Sequence, residues 1–217
     1  MPNLLTAAVQ PGSHRTIRLV SPAADEIVRI AARLIGRGVR LDTRTLAADV
    51  GISRSTLFRR VGNREDLLGD ALWYMADRTM AAAIRKWERA EGAAVRDAAG
   101  TLRCLAVMDA YRSDIAANAG FHKLLDDEPT LAIRVLTDPR GRVQPRVLVA
   151  HLDLLRHDVD AGGFTPAVSL ESLSYAIVRL GEAFLYADVV ASRVPDLEAA
   201  STLLAALVEG RVPTAHL

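Results

Sequence analysis

Residues 46–60 read Leu46-Ala-Ala-Asp-Val-Gly-Ile-Ser-Arg-Ser-Thr-Leu-Phe-Arg-Arg60, and this stretch decides the fold. A small residue, Ala47, stands four positions before Gly51. Two helices joined by a turn of three or four residues cross closely, and only a small side chain fits at the crossing. Glycine adopts the left-handed turn that ends a helix with little strain. The spacing therefore predicts a helix-turn-helix.

The second helix of this pair is predicted over 54–60, with Ser53 as its N-cap. Leu57 then faces inward with Ile52 and Val61, and the polar residues face outward. In a DNA-binding helix-turn-helix the second helix enters the major groove with its N-terminal residues at the base edges. That interpretation places four residues at the bases: Ser53, Arg54, Ser55 and Thr56. On the Ala-x-x-x-Gly spacing alone, a helical hairpin with a solvated basic face stays open as an alternative.

The rest of the chain is also patterned as helices. The sequence predicts a first helix that begins at Ser21-Pro22 and a long helix from Arg64 toward Trp87. Further helices are predicted over 93–118, 121–127, 129–137, 142–161, 169–192 and 196–209. No segment alternates apolar and polar residues as a strand does. We expect an all-α protein: a flexible arm (1–20), a three-helix DNA-binding domain with the helix-turn-helix (21–66), and a larger helical ligand-binding and dimerisation domain (67–217).

Charge is unevenly distributed along the 217 residues, although the net charge is only +1. Residues 1–70 carry 11 Arg and 7 acidic residues, or +4, and the remainder carries 16 basic and 19 acidic residues, or −3. A basic head on an acidic body suits a polyanion such as DNA. Apolar runs end well before the roughly 18 residues that span a bilayer, and no signal peptide is recognisable. We expect a cytoplasmic protein without membrane contact.

A longer match supports DNA binding. Thr43, the stretch from Leu46 to Phe58, and Gly62-Asn-Arg-Glu-Asp-Leu-Leu68 resemble the DNA-binding domain of the TetR family of transcriptional regulators. Phe58 stands where that family usually has tyrosine, Val61 where it has phenylalanine, and Arg64 where it has lysine. Besides the four base-facing residues, the predicted DNA contacts are Thr43, Arg44, Phe58, Arg59, Arg60, Asn63 and Arg64. The resemblance implies a homodimeric regulator, usually a repressor released from double-stranded operator DNA by a small molecule.

The C-terminal part also follows the resemblance, which implies dimerisation through the last two helices, Ser169–Ser192 and Asp196–Glu209. Each of these helices has an apolar stripe, which agrees with a dimer interface but is equally typical of a core helix. The stripe of the first helix contains Leu173, Ala176, Ile177, Leu180, Phe184 and Ala187, and that of the second contains Leu197, Ala200, Leu203, Leu204 and Leu207. The segment Val178-Arg-Leu-Gly-Glu-Ala-Phe-Leu-Tyr-Ala-Asp188 resembles the subgroup that includes regulators of quorum-sensing lactone degradation. It implies an apolar effector, a lactone or acyl compound.

Large side chains of the body are candidates to line an effector pocket, although any helical core would contain most of them. They are Trp87, Met108, Tyr111, Phe121, Leu125, Leu155, Tyr175 and Phe184. Arg179 and Glu182 lie one helical turn apart. If they are buried, they orient the polar head of a ligand, and if exposed they form an ordinary surface pair.

The sequence gives little indication of a reactive cysteine, a metal site or an enzyme active site. Cys104 is the only cysteine and is expected to pack as a small hydrophobe. Asp153 and His157 have helical metal-ligand spacing without a third ligand, so we expect His151, Asp153 and His157 on a solvated face and no metal site. No catalytic or phosphate-binding motif is present, and no enzyme activity or cofactor is expected. The rival hypotheses are a helical enzyme or lipid carrier with a vestigial DNA-binding head, and an architectural DNA binder without sequence preference.

Overall fold

The structure, a computed structural model, describes residues 23–187, 191 and 195–210. Over these residues the predicted all-α fold is confirmed, and the only β interaction is an isolated bridge between Arg96 and Leu102. The helices are α1 (Ala24–Gly36), α2 (Thr43–Asp49), α3 (Arg54–Val61), α4 (Arg64–Glu91), α5 (Arg103–Ala116), α6 (Ala119–Asp127), α7 (Pro129–Thr137), α8 (Gln144–Asp160), α9 (Leu170–Glu182) and α10 (Leu197–Glu209). A π-helical segment, Ala183–Ala187, continues α9.

Two apolar cores organise these helices. The first joins α1–α3 and the start of α4 to α6 and α7, with Leu46 and Leu57 fully buried beside Leu125 and Ala132. The second holds the end of α4 together with α5, α8, α9 and α10, around Met108, Leu155 and Leu204. The small helical head formed by α1–α3 therefore shares its core with two helices of the body.

The head and the body also meet at two places, one a close backbone approach and the other a cluster of ion pairs. Gly120, at the start of α6, lies so near the end of α1 that an added Cβ would stand 2.1 Å from the carbonyl oxygen of Ile35. At the junction of α6 and α7, the Glu128 carboxylate receives two hydrogen bonds from Arg64, at 2.9 and 2.7 Å, and one from Arg40 at 3.1 Å. We call the cluster of Arg40, Arg64 and Glu128 the Glu128 node. It joins the loop before α2 and the start of α4 to the body.

Several predicted boundaries change. The helix predicted over 93–118 begins only at Arg103, because residues 92–102 form a loop in which Gly92 and Gly100 have positive φ angles of 63° and 85°. Within this loop the Asp97 carboxylate accepts the Thr101 N–H at 2.8 Å and stabilises a turn. The predicted arm (1–20), the Ser21-Pro22 helix start, and parts of the stretches after 187 and after 210 lie outside the described residues.

Candidate nucleic-acid interface and ligand cavity

Each helix of the helix-turn-helix has a side-chain N-cap. The Asp42 carboxylate accepts the Thr45 N–H at 2.7 Å, and the Ser53 hydroxyl accepts the Thr56 N–H at 3.1 Å. Between the two helices Gly51 has a φ of 68°, where a side chain would be strained. Ala47 is 2% exposed, as the close crossing requires. Capping and turn chemistry thus fix the angle between α2 and α3.

Helix α3 has one buried face and one outward face. Leu57 is fully buried and Val61 is 5% exposed. Arg54, Ser55 and Arg59 are exposed, and the outward face is completed by the half-buried residues Thr56, Phe58 and Arg60. The outward face is ordered by its own contacts: the hydroxyls of Ser53 and Thr56 lie 2.9 Å apart, and the Arg54 guanidinium lies 5.5 Å from the centre of the Phe58 ring. A continuous polar surface of hydroxyls and guanidinium groups results.

The residues flanking α3 have more varied surroundings. Arg44 is exposed on α2, whereas Thr43 beside it is only 7% exposed. The Asn63 side chain caps α4 by accepting the N–H groups of Glu65 and Asp66. Arg64, predicted as a DNA contact, has its guanidinium held in the Glu128 node and by the Leu41 carbonyl at 2.9 Å. Burial of the Thr43 side chain and the existing partners of the Arg64 guanidinium therefore leave neither side chain placed to contact a phosphate.

An apolar cavity lies in the body between α4, α5 and α6. It encloses about 480 Å³ of space that atoms do not fill, part of it open to solvent. Aliphatic and aromatic side chains form most of its wall: Leu72, Met75, Ala76, Ile115, Phe121, Leu136, Val143, Val147, Tyr111 and Tyr186. This wall is suited to a hydrocarbon chain.

A second cavity, with about 440 Å³ of space that atoms do not fill and part of it open to solvent, adjoins the first and shares part of its wall. The shared residues are Tyr111, Leu136, Val143, Val147 and Tyr186. Its other side is polar, with Arg112, Gln144, His151 and Glu182 in the wall. Three of these residues, Arg112, Gln144 and His151, are at most 5% exposed. Together the cavities offer an apolar end and a polar end.

Comparison with known proteins identifies the chain. Residues 99–209, just over half of its length, match the family model described as the tetracyclin repressor-like, C-terminal domain. This chain belongs to the TetR family. TetR-family proteins are DNA-binding transcriptional regulators, and the predicted resemblance is confirmed. No curated protein matches the chain.

Two solved TetR-family structures resemble it. One is the transcriptional repressor QsdR of R. erythropolis, with a TM-score of 0.76, 27% identity, and coverage of 89% of this chain and 97% of that one. The other is the regulator PfmR of Thermus thermophilus, with a TM-score of 0.42, 20% identity, and coverage of 87% and 97%. The first likeness shows that the similarity of fold covers both the head and the body.

The structure brings only some of the predicted pocket residues to a cavity. Tyr111, Phe121 and Glu182 line one or both cavities. The other predicted residues do not: Trp87, Met108, Leu125 and Leu155 are packed in the two cores, Tyr175 and Arg179 are exposed, and Phe184 is half-buried away from both walls. Arg179 does pair with Glu182, at 2.6 Å, with the carboxylate nearly buried and the guanidinium exposed.

Sequence reasoning missed most of the polar wall, above all His151, which was expected on a solvated face and is 5% exposed. A signal exists in the sequence of α8, because Gln144, His151 and Asp158 are seven residues apart and all three are buried. A seven-residue spacing is two helical turns, so these polar residues share one inward face. His157, by contrast, has a 55% exposed side chain.

The remaining polar residues of the body act structurally. The buried Asp158 carboxylate accepts the backbone N–H of Cys104 at 2.6 Å and pairs with Arg103 at 3.0 Å, which ties the start of α5 to the end of α8. Burial, with the nearby Asp158, raises the pKa of the Cys104 thiol, so it is a poor nucleophile. The described ranges hold no group of three or more potential metal ligands. None of the described helices is long and apolar enough to cross a membrane.

Proposed function

We propose that this chain is a repressor that binds a roughly palindromic operator as a homodimer and releases it when a small, mainly apolar effector, a lactone or acyl compound, binds. The observation that carries the proposal is the geometry of α3. Its apolar side is fixed in the core through Leu57, and its polar side is exposed at the surface. A helix placed in this way can lie in a DNA groove without rearrangement of the head.

The proposed contacts follow from this orientation. Arg54 and Ser55, at the exposed N-terminal end of α3, face the base edges together with Ser53 and Thr56. Arg44 and Arg59 are exposed on either side and approach phosphates. The order of the Arg54 and Phe58 side chains, stacked at 5.5 Å, reduces the entropy lost on binding.

The homodimer is proposed to form through α9 and α10. The inward faces of these helices are already packed in the second core, through Leu173, Ile177, Ala200 and Leu204. Three large side chains remain exposed on the outward faces: Tyr175 at 56%, Leu203 at 47% and Leu207 at 39%. Leu203 and Leu207 are one turn apart, so they form a stripe that a second copy of the chain would cover.

Effector release is proposed to act through helices that contact both the cavity and the head. The apolar cavity is lined by Leu72 and Met75 of α4 and by Phe121 of α6. The same two helices carry Arg64 and Gly120, which contact the head. A ligand that widens the cavity therefore shifts the contacts that set the orientation of α3. Such coupling typically amounts to about 1–3 kcal/mol.

The test is operator discrimination. Fluorescence anisotropy would compare the region upstream of the chain's own gene with a shuffled duplex at one fixed salt concentration. We expect Arg54→Ala to lower the preference for the operator by about 1–3 kcal/mol while the dimer persists. Arg156→Ala, which removes an exposed arginine of the body, is the matched control. Equal discrimination by the wild type and Arg54→Ala would refute the role of α3, and absence of any preference in the wild type would favour an architectural binder.

A further inference from the structure

The polar cavity is lined by a buried guanidinium that has one unpaired N–H. Arg112 is 4% exposed and pairs with Asp109 on its own helix, and one of its terminal nitrogens also donates to the Ser201 hydroxyl at 3.3 Å. Its Nε–H is buried and has no hydrogen-bond partner. Buried N–H groups are nearly always paired, and Arg112 is a lining residue of the polar cavity, so we take this unpaired N–H as a position that a ligand acceptor would satisfy.

His151, on the same wall, supplies an acceptor. Burial lowers its pKa to about 4, so the imidazole is neutral near pH 7. The Val147 carbonyl lies 2.9 Å from Nδ1 and can only accept, so Nδ1 carries the proton. Nε2 therefore keeps its lone pair, and no group in the described part of the chain donates to it. A ligand N–H or O–H would complete this site.

Two phenols lie where the cavities join. Tyr111 and Tyr186 line both cavities, and among the described residues neither hydroxyl has a hydrogen-bond partner. Burial first, and then the nearby Tyr111 and Glu182, raise the pKa of Tyr186. Both phenols stay protonated and can donate to an oxygen of a ligand.

The charges around the cavity are already balanced. Asp109 pairs with Arg112, and Arg179 pairs with Glu182. The Glu182 carboxylate also receives the Gln144 amide at 2.8 Å. A carboxylate brought into this cavity would therefore find hydrogen-bond donors but no uncompensated cation, and it would be repelled by Glu182. Burial of an unpaired charge is unfavourable, whereas a neutral group with the same oxygen is accepted.

We propose that the polar cavity binds the head group of the effector, and that this head is an uncharged carbonyl which also carries an N–H or O–H. The carbonyl oxygen accepts from the Arg112 Nε–H and the phenols, and the donor of the head binds His151 Nε2. The hydrocarbon part occupies the adjoining apolar cavity against Met75 and Phe121. The inference rests on the proposed function, because it assigns the effector of that same regulator.

The experiment uses two probes of equal size that differ in charge, octanamide and octanoate, with the full-length dimer at neutral pH. Isothermal calorimetry measures their binding, and operator anisotropy without a probe measures DNA binding separately. We expect octanamide to bind at least about tenfold more tightly than octanoate. Tyr186→Phe, which keeps the ring but removes one donor, should weaken octanamide binding about three- to tenfold. Tyr74→Phe, at a tyrosine that lines neither cavity and has no part in the proposed dimer surface, should leave it unchanged.

Arg112→Lys tests the cation directly, because lysine keeps the charge but has no Nε–H in that position. A loss of octanamide binding in Arg112→Lys, with operator affinity retained, supports the head-group assignment. Equal binding of the two probes, tighter binding of octanoate, or no binding of octanamide overturns it. If the wild type does not bind the operator in the absence of any probe, the proposed function is overturned. Failure of the head-group assignment and failure of the proposed function therefore give different results.

Discussion

Neutralising Glu128 should loosen the head from the body. Glu128→Gln keeps the size of the side chain but removes the charge that holds Arg64 at 2.9 and 2.7 Å and Arg40 at 3.1 Å. The glutamine amide retains one oxygen and can accept only part of these hydrogen bonds. Its N–H₂ group would also face a guanidinium, which has no acceptor. Arg64 would then be a partly buried cation without a counter-charge.

The expected decrease in the free energy of unfolding of Glu128→Gln lies between the values for exposed and for buried ion pairs. Exposed ion pairs contribute about 0–1 kcal/mol, and removal of one partner from a buried pair costs about 3–5 kcal/mol. The Glu128 and Arg64 side chains are 13% and 29% exposed. We therefore expect the free energy of unfolding to fall by about 1–3 kcal/mol. For a chain of this size the thermal midpoint should drop by about 2–12 °C.

Chemical denaturation of the wild type, Glu128→Gln, Arg64→Gln and the double variant provides the assay. A double-mutant cycle isolates the pair, and we expect a coupling of about 1 kcal/mol or more. Arg40→Gln is the control, because that side chain is 72% exposed and its loss should cost within about 0.5 kcal/mol. A change below about 0.5 kcal/mol in Glu128→Gln, or strictly additive single variants, would refute the reasoning.

Three further predictions concern packing, titration and assembly. Gly120→Ala should destabilise the protein by about 1–3 kcal/mol, because its Cβ would stand 2.1 Å from the Ile35 carbonyl oxygen. Gly181→Ala should have no such effect, because no atom lies within 4 Å of the added Cβ. Equal melting temperatures of the two variants would contradict this prediction. The His151 pKa is lowered from 6.5 to about 4, so the unfolded state takes up a proton that the folded state does not, and stability should fall by up to about 3 kcal/mol as pH drops across that range. His151→Gln should flatten that decline in pH-dependent denaturation, and an unchanged profile would show that another group causes it. Leu203→Glu should convert the dimer to a monomer in sedimentation velocity, whereas Val39→Glu, also at an exposed apolar residue, should not; a persistent Leu203→Glu dimer would place the interface elsewhere.

The helix-turn-helix could be predicted from sequence because its determinants are local. Ala47, Gly51 and Ser53 act within one turn of their own positions, so spacing alone locates the crossing, the turn and the cap. The contacts of Arg64, by contrast, are not determined by neighbouring residues in the sequence. Its partner Glu128 is 64 residues away in sequence, and no pattern around residue 64 distinguishes an arginine that contacts a phosphate from one that contacts a carboxylate.

The cavity was harder to predict for a related reason. Periodicity reports which face of a helix is inward, but it does not report whether that face meets another helix or an open space. The apolar stripe predicted on α9 passes through Leu180 and Phe184, and neither residue lines a cavity. The wall of the polar cavity contains Gly181, Glu182 and Leu185, and of these three only Glu182 is a pocket residue predicted from the sequence. Only the tertiary arrangement supplies that information.

The distance between the two α3 helices of an operator-bound dimer tests the central claim most directly. A nitroxide at Ala48→Cys lies on the exposed surface of α2, within the same helix-turn-helix but outside the proposed DNA contacts, and the native Cys104 is buried and should remain unlabelled. Pulsed dipolar spectroscopy of the operator complex should give one distance centred at about 34 Å, the separation of successive major grooves on one side of the duplex. A distance shorter than about 25 Å, or no coupling between labels at all, would contradict the account, because two reading helices could not then occupy adjacent grooves.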